Sequence, residues 1–357
     1  FPTRELLFTK FPELDKTACD LNFDYCLTEF SKQVLARKAL LLIRDKGRFL
    51  VESPEKTIQE IMAGLNDLGI EMADDISQYD SGSLSRLEEY RIRKATRLKL
   101  KMLGIPTPIR TLNRAGVGWL AGDLISIFAR PTVGKTWLSL KAAAIAMKRG
   151  YRVLFISPEM PASSIELRMD VLLANMAGYD LSHSALRKGD IIDEAKYEEF
   201  LKANNTRLLL TCDHIEKSSV SLTGIQAKAR KHKPDLLIVD GIQLVSGAKT
   251  NSTWERLQEL FYGLKTLATS QKLVCIASTQ ANRGAADVFA PPGPEHVAFG
   301  DALLQASDVA FSMCKSSESD LIRLVQCQKY RDGDSPFWQV VLDWDVDKGK
   351  IMEQKED

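Results

Sequence analysis

At 357 residues the chain is long enough for two domains, or for one large domain with an appendage. Its 45% hydrophobic and 27% charged content is ordinary for a soluble globular protein. No run approaches the roughly 18 apolar residues of a membrane span and no signal-peptide pattern opens the chain, so a cytoplasmic location is expected. A net charge of +1 neither demands nor excludes nucleic acid, because a local surface can be basic while the whole is neutral. The chain begins at Phe1 rather than Met, so a missing N-terminal piece is expected. Six cysteines (Cys19, Cys26, Cys212, Cys275, Cys314, Cys327) form no C-x-x-C pair, which favours buried thiols over disulfides or metal; the four scattered histidines argue against zinc.

Residues 13–75 read as mostly helical. The stretch 26–47 places Phe30, Val34, Leu35, Ala39, Leu41 and Leu42 among its apolar positions, and 53–69 offers Ser53 as N-cap, Pro54 as first helical residue and Gly69 as stop. Together they predict an antiparallel helix pair. Residues 74–85 are acidic and Ser/Gly-bearing, the composition of a linker. Residues 84–103 then predict an amphipathic helix with Leu84, Leu87, Ala95, Leu98 and Met102 at helical spacing among seven basic and two acidic residues. That stripe can dock on its own domain or on a neighbouring subunit, and composition does not choose.

From about residue 105 short β-branched runs alternate with helical stretches: 124–129, 152–157, 207–212, 236–240, 273–278 and 309–313. Continuous apolar runs suit strands buried on both faces, with crossover helices between them. The expected fold class is therefore α/β, a largely parallel sheet with flanking helices and ligand sites at the strands' carboxyl ends, preceded by a small all-α N-terminal domain and a linker helix. After 320, two apolar runs flank "YRDGDSP", a hairpin signal predicting antiparallel strands at one sheet edge.

The stretch "ARPTVGKT" (Ala129, Arg130, Pro131, Thr132, Val133, Gly134, Lys135, Thr136) follows a predicted strand and opens a predicted helix at 135–149, the context a phosphate loop needs. Such a loop works because backbone N–H groups and a helix N-terminus face the anion while the lysine adds a point charge. Ala129 stands where the pattern has glycine, which is tolerable where the strand ends in ordinary backbone geometry. "LLIVD" ends in Asp240, whose carboxylate is expected beside a magnesium ion shared with the Thr136 hydroxyl. Glu159 follows the next strand and is placed to deprotonate an attacking water. Gln280, just past "LVCIAS", is placed to sense a γ-phosphate. Acids and amides often cap strands singly, but three at strand ends on the loop's edge make coincidence a poor account.

In order, "ARPTVGKT", "FISPEMP", "LLIVDGIQLV", "ASTQANR" and "FGDALLQASDVAFSM" resemble the five motifs of the DnaB-type hexameric replicative helicases, a resemblance covering roughly 105–345. It implies a RecA-like ATPase domain over 105–357, preceded by a helical, collar-like domain at 1–80 and a linker helix at 81–104 that packs on an adjacent subunit. It further implies ATP and Mg2+ as ligands, single-stranded DNA as track, a homo-hexameric ring, and primase and helicase-loader partners. The family's arginine finger lies in a K-x-R-x-G segment, matched here by Lys329, Arg331 and Gly333, which would reach the neighbouring protomer's ATP. The plainer alternative is that Arg331 caps a hairpin turn beside Asp332 and Asp334. Loops 246–253 and 283–300 are those expected to line a central pore, with Lys249 and Arg283 as their cations and backbone amides around Gly300 facing phosphates; Lys249 reads equally as a solvated surface lysine. Where bacterial members carry an arginine and a glutamate near DNA, this chain has Ala298 and Phe299, so those contacts do not carry over. Rival expectations are a RecA-like ring ATPase of recombination or clock type without unwinding, and a nucleotide-binding scaffold ring.

Overall fold

A computed structural model describes residues 23–71, 84–114, 116, 118–190, 193–204, 206–211, 220–246, 253–282, 287–297, 300–332 and 339–354. The chain separates into two units, Phe1–Ser83 and Leu84–Asp357. The linker expected at 74–85 lies almost wholly outside the described residues.

In the first unit, α1 (Phe23–Gly47) and α2 (Pro54–Glu71) form the expected antiparallel pair. Pro54 opens α2, where its missing N–H costs nothing and its fixed φ already suits a helix. Lys46 near the end of α1 meets Glu60 in α2 at 2.7 Å, tying the two helices near their connection. Gly69 is not the stop the sequence suggested. The helix runs through it to Glu71, since an interior glycine costs a helix only about 1 kcal/mol and does not by itself break it.

The second unit opens with α3 (Ser85–Leu100), shorter than the 84–103 expected because Lys101 turns left-handed (φ 58°) and ends it. No residue of α3 is buried, and Leu84 and Leu98 are 77% and 73% exposed, so the part of the apolar stripe carried by α3 is left exposed. Leu103 and Ile105 instead pair with 116–119 through backbone hydrogen bonds. A short helix, α4 (Arg110–Arg114), leads to the sheet.

The sheet elements follow in order: β1 (Leu124–Ala129), α5 (Lys135–Lys148), β2 (Val153–Ile156), α6 (Ala162–Ala177), α7 (His183–Lys188), α8 (Glu194–Ala203), β3 (Leu208–Thr211), α9 (Leu222–His232), β4 (Leu236–Asp240), α10 (Thr253–Gln271), β5 (Val274–Gln280), α11 (Gly300–Ala306), β6 (Val309–Lys315), β7 (Ile322–Tyr330), β8 (Gln339–Asp345) and β9 (Lys350–Glu353). The spatial order is β3-β2-β4-β5-β1-β6-β7-β8-β9. The first six strands run parallel; β7, β8 and β9 extend the sheet antiparallel. β2 is one residue shorter at each end than expected, β3 starts one residue later, and Gln280 is the last residue of β5 rather than lying beyond it. β9 was not anticipated: its four residues follow a turn and alternate exposed and buried, the mark of an edge strand.

Successive strand residues feed opposite cores, as the pleat requires. Ile125, Ile127, Phe155, Ile238 and Ile276 pack with α5 and α6 on one face. Leu124, Phe128, Leu154, Leu237 and Val239 pack with α9, α10 and α11 on the other. This double burial explains why the strands read as unbroken apolar runs. Cys275, Cys314 and Cys327 are buried thiols; the other three cysteine side chains lie outside the described residues. Among the described residues no helix is long and apolar enough to cross a membrane.

Candidate nucleotide site

Parallel strands deliver their carboxyl ends to one edge, and the loop from β1 to α5 occupies its centre. Ala129 is the last paired residue of β1, opposite Gln280 and Met313, in ordinary strand conformation. The alanine is therefore harmless there. The left-handed residues come later, at Thr132 (φ 66°) and Gly134 (φ 118°). Thr132 was not foreseen as special; a β-branched residue in that region is strained, a feature typical of binding loops. Gly134 caps α5 directly, so the loop's amides and the N-terminal end of a fourteen-residue helix face the same space.

Two chemical groups converge on this edge. Thr136 donates to Asp240 (Oγ1–Oδ2 2.7 Å), and Ser278 donates to the other carboxylate oxygen (2.7 Å) while accepting from the Gly241 amide (2.9 Å). Asp240 is almost fully buried, and burial holds its carboxyl above the usual carboxylate range despite both hydroxyl donors. Lys135 donates to the Ala129 carbonyl (3.2 Å); burial lowers its pKa against the pull of Asp240 and Glu159.

Glu159 stands on the loop after β2, with Oε1 accepting from Gln243 Nε2 at 2.7 Å and from Gln280 Nε2 at 3.4 Å. Desolvation, then the negative field of Asp240, raises its pKa. Gly241 leaves room for it: a Cβ there would lie 2.9 Å from the Glu159 Oε1, and the backbone is left-handed (φ 98°). The structure thus brings Lys135, Thr136, Glu159, Asp240 and Gln280 together. Arg130 behaves differently, its guanidinium turned to the carbonyls of Ala281 (3.3 Å) and Asn282 (2.9 Å) at the root of the 283–300 loop.

Sequence reasoning missed Gln243, Ser278 and Arg168. Gln243 sits in the helical turn Ile242–Leu244 just after Asp240, inside a motif already noticed, but the turn that aims it at Glu159 leaves no periodic trace. Arg168 on α6 reaches back to the Met160 sulfur (3.1 Å) and lies over the Trp137 ring (5.2 Å), steadying the segment beside Glu159.

The opposite edge holds the remaining basic pair. Tyr330 pairs with Val309 at the start of β6, so Lys329 and Arg331 lie at the far end of the sheet from the loop. Arg331 pairs with Asp308 (2.7 Å) and donates to the Gln305 carbonyl (3.1 Å); Lys329 donates to the Leu304 carbonyl. Asp308 also accepts from Lys265 (2.6 Å) and the Leu124 amide (2.8 Å). Lys249, Arg283, Gly333, Ala298 and Phe299 lie outside the described residues. Gly300 is buried and its own N–H donates to Val297 O (3.1 Å), so it has no free amide to offer a phosphate.

A left-handed loop opening a helix, a threonine bonded to a buried strand-end aspartate and a glutamate on the adjacent strand end define a P-loop nucleotide-binding core of RecA-like fold. The model of the DnaB-like helicase C-terminal domain matches residues 104–289, and the chain belongs to the DnaB-like helicase family. Relatives include a probable plasmid replicative DNA helicase of Chlamydia muridarum, 26% identical over 72% of this chain and 56% of its own length. The replicative DNA helicase DnaB of Leifsonia xyli is 31% identical over 66% of this chain and 49% of its own. The chain spans about half the length of the curated relatives it matches. The solved structure of a DnaB-like replicative helicase and its interactions with primase superposes with a TM-score of 0.69 at 21% identity, covering 93% of this chain and 79% of that one. A solved ATPase domain matches over its whole length and 77% of this chain, with a TM-score of 0.66 at 22% identity. At these identities the likeness concerns the fold.

Proposed function

We propose that this chain is the ATP-hydrolysing core of a ring-forming replicative DNA helicase. The supporting observation is the division of its charged groups: Lys135, Glu159 and Asp240 share one sheet edge, while Lys329 and Arg331 share the other. Arg331 cannot serve the phosphate loop of its own chain, so a complete site needs a neighbour that supplies it.

The residues present fit ATP and magnesium. The loop 129–136 would cradle the phosphates, with Lys135 beside them, and the hydroxyl of Thr136 with the buried carboxylate of Asp240 is a hard-oxygen donor set suited to Mg2+. When bound, that ion would neutralise phosphate charge. Glu159, whose pKa is raised by desolvation and Asp240 against the opposing pull of Lys135, Gln280 and Gln243, would take a proton from the attacking water. Gln280 closes β5 and contacts Glu159, so movement of the following loop would reach the base directly. Lys329 and Arg331 of an adjacent copy would stabilise charge on the transferring phosphoryl group.

On this reading the ring is a homo-hexamer in the cytoplasm, its pore loops, with Lys249 and Arg283, tracking single-stranded DNA. The exposed stripe of α3 would pack on an adjacent subunit as the linker helix between a collar-like domain (1–80) and the ATPase domain (105–357). Primase and a helicase loader are the expected partners; primase is the partner in the solved relative. Strand displacement on forked DNA, with 5′ and 3′ tails compared and ATP turnover measured with and without single-stranded DNA, tests the proposal. DNA-stimulated turnover with displacement supports it; turnover without displacement would instead indicate a recombination- or clock-type ring, and nucleotide binding without turnover a scaffold.

A further inference from the structure

Arg323 is buried, with only 6% of its surface exposed, yet its hydrogen bonds go to no carboxylate. It stands near the start of β7, paired with Lys315 at the end of β6, and so projects at the same sheet edge as the phosphate loop. Its Nε donates to the Val133 carbonyl at 2.8 Å, and Nη1 donates to the carbonyls of Asp320 and Ile322, both at 2.8 Å. Its guanidinium lies over the Trp344 ring of β8 (5.4 Å), and that indole in turn presses on the loop: a Cβ on Gly134 would meet Trp344 Cζ2 at 2.4 Å. A buried guanidinium is costly unless its surroundings use the charge. Here the charge is shared among three backbone carbonyls, one of which, that of Val133, belongs to the nucleotide loop.

The consequence is electronic as well as steric. Val133 C=O and Gly134 N–H belong to one planar peptide. A cation on the carbonyl oxygen pulls density out of that peptide and makes the attached N–H a stronger donor, since hydrogen-bonded groups polarise one another. Gly134 is the helix-capping residue whose amide belongs to the cradle, and Trp344 stops it from backing away. We propose that Arg323 is a positioning residue of the nucleotide site: it orients and polarises the Val133–Gly134 peptide so that the Gly134 amide grips a phosphate oxygen. The inference rests on the nucleotide-site reading above and concerns a residue outside every motif that carried that reading.

The test is the affinity of the full chain for a ribose-labelled fluorescent ATP, measured by anisotropy, alongside melting of each nucleotide-free variant. Arg323→Met should weaken binding about tenfold, which is about 1.4 kcal/mol. Arg323→Gln, which can keep a hydrogen bond without the charge, should weaken it severalfold. Arg323→Lys should restore affinity to within about threefold of wild type, because an ammonium can also reach and polarise a carbonyl. A merely structural arginine would lower the melting temperature in all three while leaving affinity intact in the folded fraction, and that result overturns the proposal. Should Arg323→Met fail to fold, the Gln and Lys pair decides: equal, wild-type affinity in both overturns it, and loss in Gln with recovery in Lys supports it. Absence of ATP binding by the wild-type chain would instead remove the site reading itself, and the proposal with it.

Discussion

The two edges of the sheet carry similar inventories of charge and use them in opposite ways. At the carboxyl edge, acids and a lysine crowd a cleft with few direct ion pairs: Asp240 is bonded by hydroxyls, Glu159 by amides, and Lys135 by a carbonyl. At the other edge the charges are matched, with Asp308 holding both Lys265 and Arg331. Carboxyls held by neutral donors leave room for a cation and an anion to bind; ion-paired ones build structure and hold an arginine at a set place. β7 spans the two, with Arg323 at one end touching the loop and Lys329 at the other. On the proposed reading one chain would carry two half-sites, and completing either would take a second copy.

The sharpest way to break that comparison is Arg331→Ala. If the far edge serves a neighbouring nucleotide, turnover should fall about 10³-fold in assembled rings, with binding to an isolated protomer little changed. Mixing these subunits with Glu159→Gln subunits should restore some activity, because certain interfaces then pair an intact Glu159 with an intact Arg331. Wild-type turnover by Arg331→Ala with DNA present would reduce the Asp308–Arg331 pair to a structural tie.

Glu159→Gln addresses the near edge. The amide is nearly isosteric but cannot accept the water's proton, so hydrolysis should drop roughly 100-fold or more while ATP binding persists. Steady-state turnover beside equilibrium binding checks it, and near-normal turnover would move the base elsewhere.

A smaller effect tests the hydrogen bond from Gln243. Glu159 must be ionised to act, and its pKa is already raised, so turnover should fade on acidification at a higher pH than an ordinary carboxylate would give. Gln243→Leu removes a donor that favours the ionised form. The acid limb of the pH–rate profile should therefore move to still higher pH, with turnover at neutral pH down several-fold. An unmoved limb would show that Gln243 does not tune Glu159.

The smallest change is expected at Asp123, beside the far-edge network. Burial pushes its carboxyl up to about 6. A carboxyl whose folded pKa is raised lends stability that is present below its unfolded value of about 4 and is lost as pH rises towards 6. Asp123→Asn should thus stabilise the protein by about 1 kcal/mol at pH 7 and flatten the stability change between pH 4 and 6. Melting curves across that range decide it, and a variant as pH-sensitive as wild type would exclude Asp123 as the source.

Much of this is legible in the sequence, and the reasons are local. "LISIFA" and "LLIVD" became β1 and β4 residue for residue because strands buried on both faces leave an unmistakable apolar run. The loop, Glu159, Asp240 and Gln280 could be found because parallel topology sends every such strand end to one edge. Gly69 misled because a glycine's local cost does not decide whether a helix stops. β9 was missed because four alternating residues carry too little pattern.

Sequence alone thus determined the class of fold, the family resemblance and the chemistry gathered at the carboxyl edge, since each depends on periodicity or on residues close in the chain. Tertiary structure decided the rest. That Gln243 bonds Glu159 across 84 positions, that Asp308 holds Arg331, and that Arg323 reaches 190 residues back to Val133 depend on strand register and on the ends of β7 and β8 packing against the loop. Those contacts join residues remote in sequence through buried backbone carbonyls and single side chains. They have no period, and only packing brings them together.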